Sequence, residues 1–345
     1  MSLPKVFLIV SFALFSLIGG IALCKKKSSR PAEKVHVVAQ EEVDLSRLAV
    51  ESVQSLPEAP FTETLSKDPV VECAHEEEKP VVIEHEPEEN GLSALFVKGT
   101  ACPIVETITY KRRAPWKTRG PAWLVDYANH YKTSLDFIYA SLNGGRDFKQ
   151  VTVSDGARFN VLRNDIDFRF HLIVSLSACR LRLYYVIPEQ KKAVFLKSYS
   201  VCLGKKDSSK SSECLTPLGM YQLGEKTATF RPKMTGMHKG KKIELIQVFG
   251  GYWMPFEKTI GECTEPARGF GIHGTPILRD ANSGALKEDN SSLGQYESDG
   301  CIRLAGKDIQ ELFAVVSTHK TYVELVPSFD QSRLLQGEIV KEEST

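Results

Sequence analysis

The chain has 345 residues, with 44 lysines and arginines against 43 aspartates and glutamates and a formal net charge of +1. This length accommodates one or two domains, and the balanced charge gives no indication of a general nucleic-acid-binding protein. The eight cysteines include no C-x-x-C pair, and no histidine pair has zinc-finger spacing, so we expect no metal and no other cofactor.

The N-terminal segment is apolar. Residues 6–24 (VFLIVSFALFSLIGGIALC) are 19 residues without a charge, close to the roughly 20 that span a bilayer as a helix. We therefore expect residues 1–24 to be an export signal or a membrane anchor. The sequence around Cys24 leaves cleavage and acylation open. Basic residues at positions 25–27 would place the rest of the chain in the cytoplasm by the positive-inside rule, against the function inferred below.

Residues 25–118 lack hydrophobic periodicity and contain recurrent prolines. The stretch 71–90 (VECAHEEEKPVVIEHEPEEN) is strongly acidic, and a segment of this composition buries little apolar surface. The composition predicts a disordered acidic tether. A segment that folds on a partner is the alternative.

Residues 119–165 follow a different pattern. The stretch 122–145 predicts two short helices, with Ser134 as the cap of the second and Asn143-Gly144 as its stop, and VTVSDGARFNVL (151–162) predicts a strand, a turn and a strand. YKTSLDFIYASLNG resembles a LysM module, which would bind peptidoglycan. The alternative is a lead-in to the next domain.

Residues 167–328 are rich in β-branched and aromatic residues between Gly, Pro and Ser breaks. They predict a mainly β domain, with one helix near its end and a C-terminal tail at 329–345. Cys202 and Cys214 bracket a polar loop, so they either form a disulfide or remain unpaired.

A cysteine stands in a tight turn within ESDGCIRL, residues 297–304. Apolar residues recur at helical spacing from Ile302 to Val316, which predicts a helix that begins near Cys301. A helix N-terminus favours thiolate over thiol, so Cys301 is a candidate nucleophile. A structural or disulfide-bonded cysteine is the alternative.

A catalytic thiol needs a base, usually a histidine. His273 lies in GFGIHGTP, at a predicted strand end between glycines, where an imidazole is displayed with room for substrate. We therefore expect His273 to be the partner of Cys301.

Several motifs occur together in one order: TPLGMYQL (216–223), YWMPF (252–256), GIHGT (271–275), LG (293–294) and SDGCIRL (298–304). In that order they resemble the catalytic domain of the L,D-transpeptidases, also called the YkuD domain, over about residues 167–327. The resemblance implies a β-sandwich or barrel in which Cys301 is the nucleophile and His273 its base.

The activity implied is transpeptidation of peptidoglycan. The thiol would attack a tetrapeptide stem at the carbonyl before the terminal D-alanine, and a neighbouring amine would resolve the thioester into a 3-3 crosslink. Resolution by water would make the enzyme an L,D-carboxypeptidase. The resemblance also implies inhibition by carbapenems and a location at the periplasmic face of the inner membrane.

Further substrate-binding or supporting positions implied by the motifs are Ser298, Gly300, Arg303, Thr275, Trp253 and Tyr252. Ser298 and Thr275 are expected either to orient the histidine or to serve only as turn residues, and the amides around Gly300 are candidates to stabilise an oxyanion. Arg303 is expected to order the site or to hold a carboxylate.

The sequence departs from the family pattern twice. Asp299 stands where many members have histidine, and an inserted polar segment at 276–292 suggests a surface loop. Two other functions remain open: a non-catalytic wall-binding protein, which would not need Cys301, and a cytoplasmic thiol enzyme, which would not need the tether.

Overall fold

The computed structural model describes residues 82–84, 91–225 and 227–340. The strands are β1 (Val82–Glu84), β2 (Val105–Thr109), β3 (Arg158–Leu162), β4 (Arg169–Ser175), β5 (Arg180–Ile187), β6 (Lys192–Ser200), β7 (Leu203–Gly204), β8 (Gly219–Leu223), β9 (Ala228–Thr229), β10 (Thr235–His238), β11 (Lys241–Glu244), β12 (Tyr252–Ile260), β13 (Gly271–Gly274), β14 (Ile277–Arg279), β15 (Leu286–Glu288), β16 (Tyr296–Ser298), β17 (Ile302–Leu304) and β18 (Thr321–Val326). The α-helices are α1 (Leu124–His130), α2 (Leu135–Leu142), α3 (Ile246–Phe249) and α4 (Gly306–Val316), and 3₁₀ turns occupy Gly91–Leu95, Pro188–Gln190 and Phe329–Gln331.

Most strands join one mixed sheet in the order β1-β6-β5-β4-β18-β8-β12-β13-β17, with β9 also paired to β12. Strand β12 pairs with two different strands of this sheet. Its first half pairs with β13 and its second half with β8, and the register shifts between Phe256 and Lys258. A bulge of this kind lets a strand bend from one layer into another. The mainly β prediction is confirmed.

The core explains why the central strands read as continuous apolar runs. Every residue of β4 and of β18 is buried, as expected for strands covered on both faces. On one face, helix α4 inserts Ile309, Leu312 and Val316 into the main cluster, which also contains Ile272 and Ile302 of the neighbouring strands. Helix α4 therefore packs against the core-facing side of β13 and β17.

The predicted tail at 329–345 is wrong up to residue 340. Leu334 is buried and packs with Ile173 and Val326 on the second face of the sheet, together with Phe329 and Ile339. These apolar residues are too widely spaced to form a periodic pattern, so only the packing reveals their role.

The predicted tether is wrong over residues 91–118. Leu92 and Leu95 are fully buried in the main core. Strand β2 pairs antiparallel with β3, with Val105 opposite Leu162. The expected strand at 151–154 does not form, because β3 takes its partner from upstream of the helices instead.

The helices of this upstream region lie where they were predicted. Phe137 N–H donates to Ser134 Oγ at 3.0 Å, so Ser134 caps α2, and the helix ends at Asn143 before Gly144. Ser134 Oγ also donates to the carbonyl of Ala314 in α4 at 2.5 Å. The strand–helix–helix–strand unit is thereby attached to helix α4.

The expectations for residues 1–24, and for most of the acidic segment before residue 91, lie outside the described residues. Within the part of the chain that the structure describes, no helix combines the length and apolar character needed to cross a membrane.

Candidate active site

Two short parallel strands bring the predicted catalytic residues together. Strand β13 pairs with β17 so that His273 lies opposite Arg303 and Ile272 opposite Ile302. Cys301 directly precedes β17 and therefore lies beside the start of β13. Because successive side chains point to opposite faces of a sheet, the isoleucines enter the core while His273, Arg303 and Cys301 share the other face.

His273 is 2% exposed, and its Nδ1 lies 2.8 Å from the carbonyl oxygen of Gly274. A carbonyl oxygen only accepts, so Nδ1 carries the proton and Nε2 remains free to accept one. The rings of Phe249 and Trp253 lie 5.4 and 5.8 Å from the imidazole. Burial lowers the pKa of His273 to about 3, and the charge of Arg303 acts in the same direction. The imidazole is therefore neutral at pH 7.

Cys301 is half-buried, and its Sγ lies 3.7 Å from the carbonyl oxygen of Gly269. Burial raises the pKa of the Cys301 thiol to about 11, although a backbone hydrogen bond at Gly271 and the charge of Arg303 oppose this rise. At pH 7 the thiol of Cys301 and the imidazole of His273 are therefore both neutral.

The expected helix at Cys301 is wrong. Ile302–Leu304 form strand β17, and helix α4 begins only at Gly306. A three-residue segment with apolar residues only at its two ends is compatible with either structure, and pairing with β13 decides between them. Cys301 therefore does not lie at a helix N-terminus.

Ser298 shapes the turn that carries Cys301. Its Oγ donates to the carbonyl of Cys301 at 2.6 Å and accepts from the amide of Gly300 at 3.1 Å. The amide of Gly300 therefore already donates to Ser298 Oγ. Of the two amides expected to stabilise an oxyanion, only the amide of Cys301 remains a candidate. The expectation that Ser298 orients His273 is wrong, because its hydroxyl serves this turn.

Gly300 is required by its backbone and its surroundings. Its φ is +117°, and an added Cβ would lie 2.7 Å from Phe270 Cε1 and 2.8 Å from the carbonyl oxygen of Leu215. Thr216 Oγ1 donates to the Gly300 carbonyl at 3.0 Å. In the sequence, Thr216 stood out only as part of the TPLGMYQL motif. Its contact with Gly300 shows that it helps to hold the turn that carries Cys301.

Thr275 also lies apart from the histidine ring. Its Oγ1 is 2.7 Å from Glu288 Oε1 and 2.7 Å from Asn290 Oδ1. The same Glu288 carboxylate accepts from the amide of Gly306 at the start of α4. The inserted segment 276–292, which forms the β14–β15 hairpin, is thereby anchored to the catalytic domain, and the expected contact of Thr275 with His273 is wrong.

The two aromatic candidates lie on opposite faces of β12. Trp253 pairs with His273 and lies against its ring. Tyr252 instead packs against Phe313 of α4, with ring centroids 4.9 Å apart. Tyr252 therefore packs on the core side of β12, where of the two predicted roles, substrate-binding or supporting, only the supporting one fits its contacts.

Arg303 is held through its main chain, which exchanges hydrogen bonds with Cys202 at 2.9 and 3.0 Å. Its Nε is buried and has no hydrogen-bond partner among the described residues. Cys202 and Cys214 are both buried and form no disulfide, so of the two alternatives for these cysteines the unpaired one is correct. The guanidinium is thus a positive charge beside both Cys301 and His273.

Asp299, close enough for its charge to act on Cys301, pairs with two lysines. Its carboxylate oxygens lie 2.8 Å from Lys239 Nζ and 3.4 Å from Lys205 Nζ. The hydrogen bond from Lys239 holds the pKa of Asp299 below its usual range. Neither lysine stood out in the sequence, because both lie in stretches that read only as basic loops.

No group of three His, Cys, Asp or Glu side chains within the described ranges is arranged to hold a metal ion.

Residues 169–325 match the family model of YkuD, the L,D-transpeptidase catalytic domain. The family resemblance seen in the motifs is thereby confirmed for this segment.

A curated Bacillus licheniformis protein, named as a candidate L,D-transpeptidase YkuD, is 27% identical over 186 residues, covering 54% of this chain and 81% of that protein. Among solved structures, Bd1075 of Bdellovibrio bacteriovorus aligns with 14% identity and a TM-score of 0.31, over 46% of this chain and 48% of that chain. The helical cell shape determining protein Pgp2 from Campylobacter jejuni aligns with 19% identity and a TM-score of 0.29, over 47% and 49%. The chain spans about half the length of these solved chains.

The buried histidine makes stability depend on pH. The unfolded chain protonates a histidine near pH 6.5, whereas folded His273 does so near pH 3. Between these values the unfolded state binds more protons, so the free energy of unfolding falls as pH falls, by up to about 1.4 kcal/mol per pH unit from this group.

We expect urea unfolding between pH 6.5 and 4 to show a shallower pH dependence in His273→Asn than in the parent protein. His130→Asn, at an exposed histidine, is the matched control and should keep the parent slope. Equal slopes for His273→Asn and the parent would show that the folded protein protonates His273 normally.

Proposed function

We propose that this protein is a cysteine-dependent peptidoglycan L,D-transpeptidase that forms 3-3 crosslinks through a thioester on Cys301. The observation that carries the proposal is the pairing of β13 with β17, within the segment that matches the family. This pairing sets a neutral imidazole, with its Nδ1 proton directed to Gly274, on the same face as the thiol.

In the proposed mechanism, His273 Nε2 takes the Sγ proton as the sulfur attacks the carbonyl carbon before the terminal D-alanine. The tetrahedral oxyanion is stabilised by the Cys301 amide and by the positive charge of Arg303. Collapse of the intermediate breaks the peptide bond, and the imidazolium returns its proton to the departing amine. A thioester and free D-alanine result.

The acceptor amine of a second stem then attacks the thioester, and His273 accepts a proton from that amine. The thiolate leaves and takes the proton back from the imidazolium, which restores the starting site. The positive charge of Arg303 stabilises the thiolate as it leaves, and it also disfavours the imidazolium that holds the proton.

L,D-carboxypeptidase activity is the second candidate. Cys301 is only half-buried, so water can reach the thioester in the same site. Hydrolysis would use the same residues and leave a tripeptide stem.

Product analysis distinguishes the two activities. Purified protein incubated with tetrapeptide muropeptides should yield a dimer that has lost one D-alanine, detected by mass spectrometry. Tripeptide monomer without dimer would instead identify a carboxypeptidase. Absence of both products, and of an acyl-enzyme on Cys301, would contradict the proposed function and favour a non-catalytic wall-binding protein.

We further propose that the unit containing α1 and α2 binds peptidoglycan, in keeping with the LysM-like motif. Trp123, at the start of α1, is 56% exposed, and Val125 is 50% exposed, so this unit has apolar side chains free to contact a ligand. Sedimentation with purified sacculi should be weakened by Trp123→Ala but not by Val97→Ala, at a residue 54% exposed before this unit. Equal retention of both variants would contradict a role for this surface.

The active site would need to face peptidoglycan, so we propose a location at the periplasmic face of the inner membrane, with residues 1–24 as signal or anchor. Protease added to spheroplasts should digest the catalytic domain while a cytoplasmic control protein stays intact. Protection until the cells are lysed would favour the cytoplasmic thiol-enzyme alternative, in agreement with the basic residues after the apolar segment.

A further inference from the structure

Three charged side chains from separate elements meet beside the catalytic turn. Asp299 follows β16, Lys205 follows β7, and Lys239 lies at the tip of the β10–β11 hairpin. Strands β7 and β16 are parallel neighbours, and the amide of Lys205 donates to the carbonyl of Ser298 at 2.9 Å. The backbone of Lys205 is thereby fixed next to the turn that carries Cys301.

The hairpin that carries Lys239 is also held over the site. Its tip is a two-residue turn, Lys239-Gly240, in which both residues have positive φ. The preceding His238 packs against Phe249 with ring centroids 5.6 Å apart, and Phe249 in turn packs against His273 at 5.4 Å. At the other end of the hairpin, Glu244 pairs with Arg279 of the β14–β15 hairpin at 3.2 Å.

The three charges do not cancel. Two ammonium groups face one carboxylate, which leaves one positive charge at the mouth of the site. The lysine side chains are 60% and 63% exposed and Asp299 is 53% exposed, and ion pairs of that exposure are weak and exchange readily. An incoming carboxylate can therefore replace Asp299 as the partner of either lysine.

The acyl donor of the proposed reaction has such a group in the right place. Its leaving residue ends in a free carboxylate, one residue beyond the carbonyl that Cys301 attacks. Asp299 stands two residues before Cys301, so its Cα lies within about 7.6 Å of the Cα of the nucleophile. A carboxylate one residue from the scissile bond is within reach of the same region.

We propose that Lys239 and Lys205 bind the free C-terminal carboxylate of the acyl donor, and that Asp299 holds both lysines in position until the donor binds. This inference rests on the proposed function, and it assigns recognition of the leaving residue to a cluster outside the catalytic pair.

The test compares two stem peptides that differ only in ending with D-alanine or with D-alanine amide. The parent protein should release the terminal residue of the acid at least about tenfold faster, measured as kcat/KM, because a charge-assisted hydrogen bond is lost with the amide. Lys239→Ala should reduce the rate on the acid by about tenfold and the rate on the amide much less. The double variant with Lys205→Ala should lose the preference.

The matched control is Lys242→Ala, at an exposed lysine of the same hairpin, which should keep the preference for the acid. Equal rate losses on acid and amide in Lys239→Ala would overturn the proposal and leave the ion pairs as a purely structural clamp. Circular dichroism confirms that each variant is folded.

A binding measurement separates this inference from the proposed function. Calorimetric titration of the Cys301→Ala variant with each peptide requires no chemistry. Tighter binding of the acid that depends on Lys239 supports the carboxylate site even where the parent protein forms no acyl-enzyme. Equal affinity for acid and amide overturns it even where acylation proceeds.

Discussion

Cys301→Ala and His273→Ala are each expected to abolish acylation by a carbapenem, a reaction that we propose for the parent protein and that intact-mass spectrometry at pH 7 would measure. The first variant removes the nucleophile. The second removes the base, and because burial raises the pKa of the Cys301 thiol, that thiol is almost entirely protonated at pH 7. General base catalysis of this kind contributes about 10²- to 10⁴-fold.

The control for this experiment is Cys263→Ala, because Cys263 is also half-buried but lies elsewhere, with its Sγ 3.1 Å from the carbonyl oxygen of Met220. That variant should form the adduct at the parent rate. A normal adduct on Cys301→Ala would remove this residue from the mechanism, and undiminished acylation of His273→Ala would show that the thiol is activated by another group.

Glu324→Ala is expected to lower the free energy of unfolding by several kcal/mol, about 1–3 kcal/mol for each buried hydrogen-bond donor that loses its acceptor. Glu324 is 3% exposed and lies 3.0 Å from His171 Nε2. It also accepts from Ser332 Oγ at 2.7 Å and from the amide of Arg333 at 2.6 Å. The carboxylate thus fastens the C-terminal segment to the sheet.

Urea denaturation measures this loss. Glu265→Ala, which breaks the half-exposed pair of Glu265 with Lys210, is the control and should change stability by less than about 1 kcal/mol. Limited proteolysis should also cleave the segment after residue 328 sooner in Glu324→Ala. A change no larger than that of the control would mean that the buried network contributes nothing net.

Acid should weaken the same attachment. Burial opposes ionisation of Glu324, but the hydrogen bonds from His171 and Ser332 prevail and hold the pKa of the carboxylate below its usual range. A depressed carboxylate pKa contributes stability that is present above the unfolded value and is lost as pH falls through the folded value.

Local sequence determined a large part of this protein. Ser134 reads as a helix cap because a short hydroxyl side chain can accept from an amide three residues later, and it does so. The β-branched runs of the catalytic domain read as strands because they are buried on both faces. Cys301 and His273 were found because their chemistry and flanking glycines are local features, and their motifs occur in the order of a known family.

Tertiary structure alone decided which side chains meet. Ile302–Leu304 is too short for periodicity to distinguish strand from helix, and its pairing with β13 settled the matter. Strand β2 could not be recognised in a proline-rich stretch because its partner is about 50 residues away. Tyr252 and Trp253 are neighbours in the chain, yet strand alternation sends them to opposite faces.

The charged residues around the site also show the difference between what the sequence reveals and what only the fold reveals. Asp299 is visible in the sequence as a departure from the family pattern, but its partners Lys205 and Lys239 come from loops 94 and 60 residues away. Attraction between charged side chains depends on distance in space and not on separation along the chain, so only the fold could reveal that this carboxylate faces two lysines.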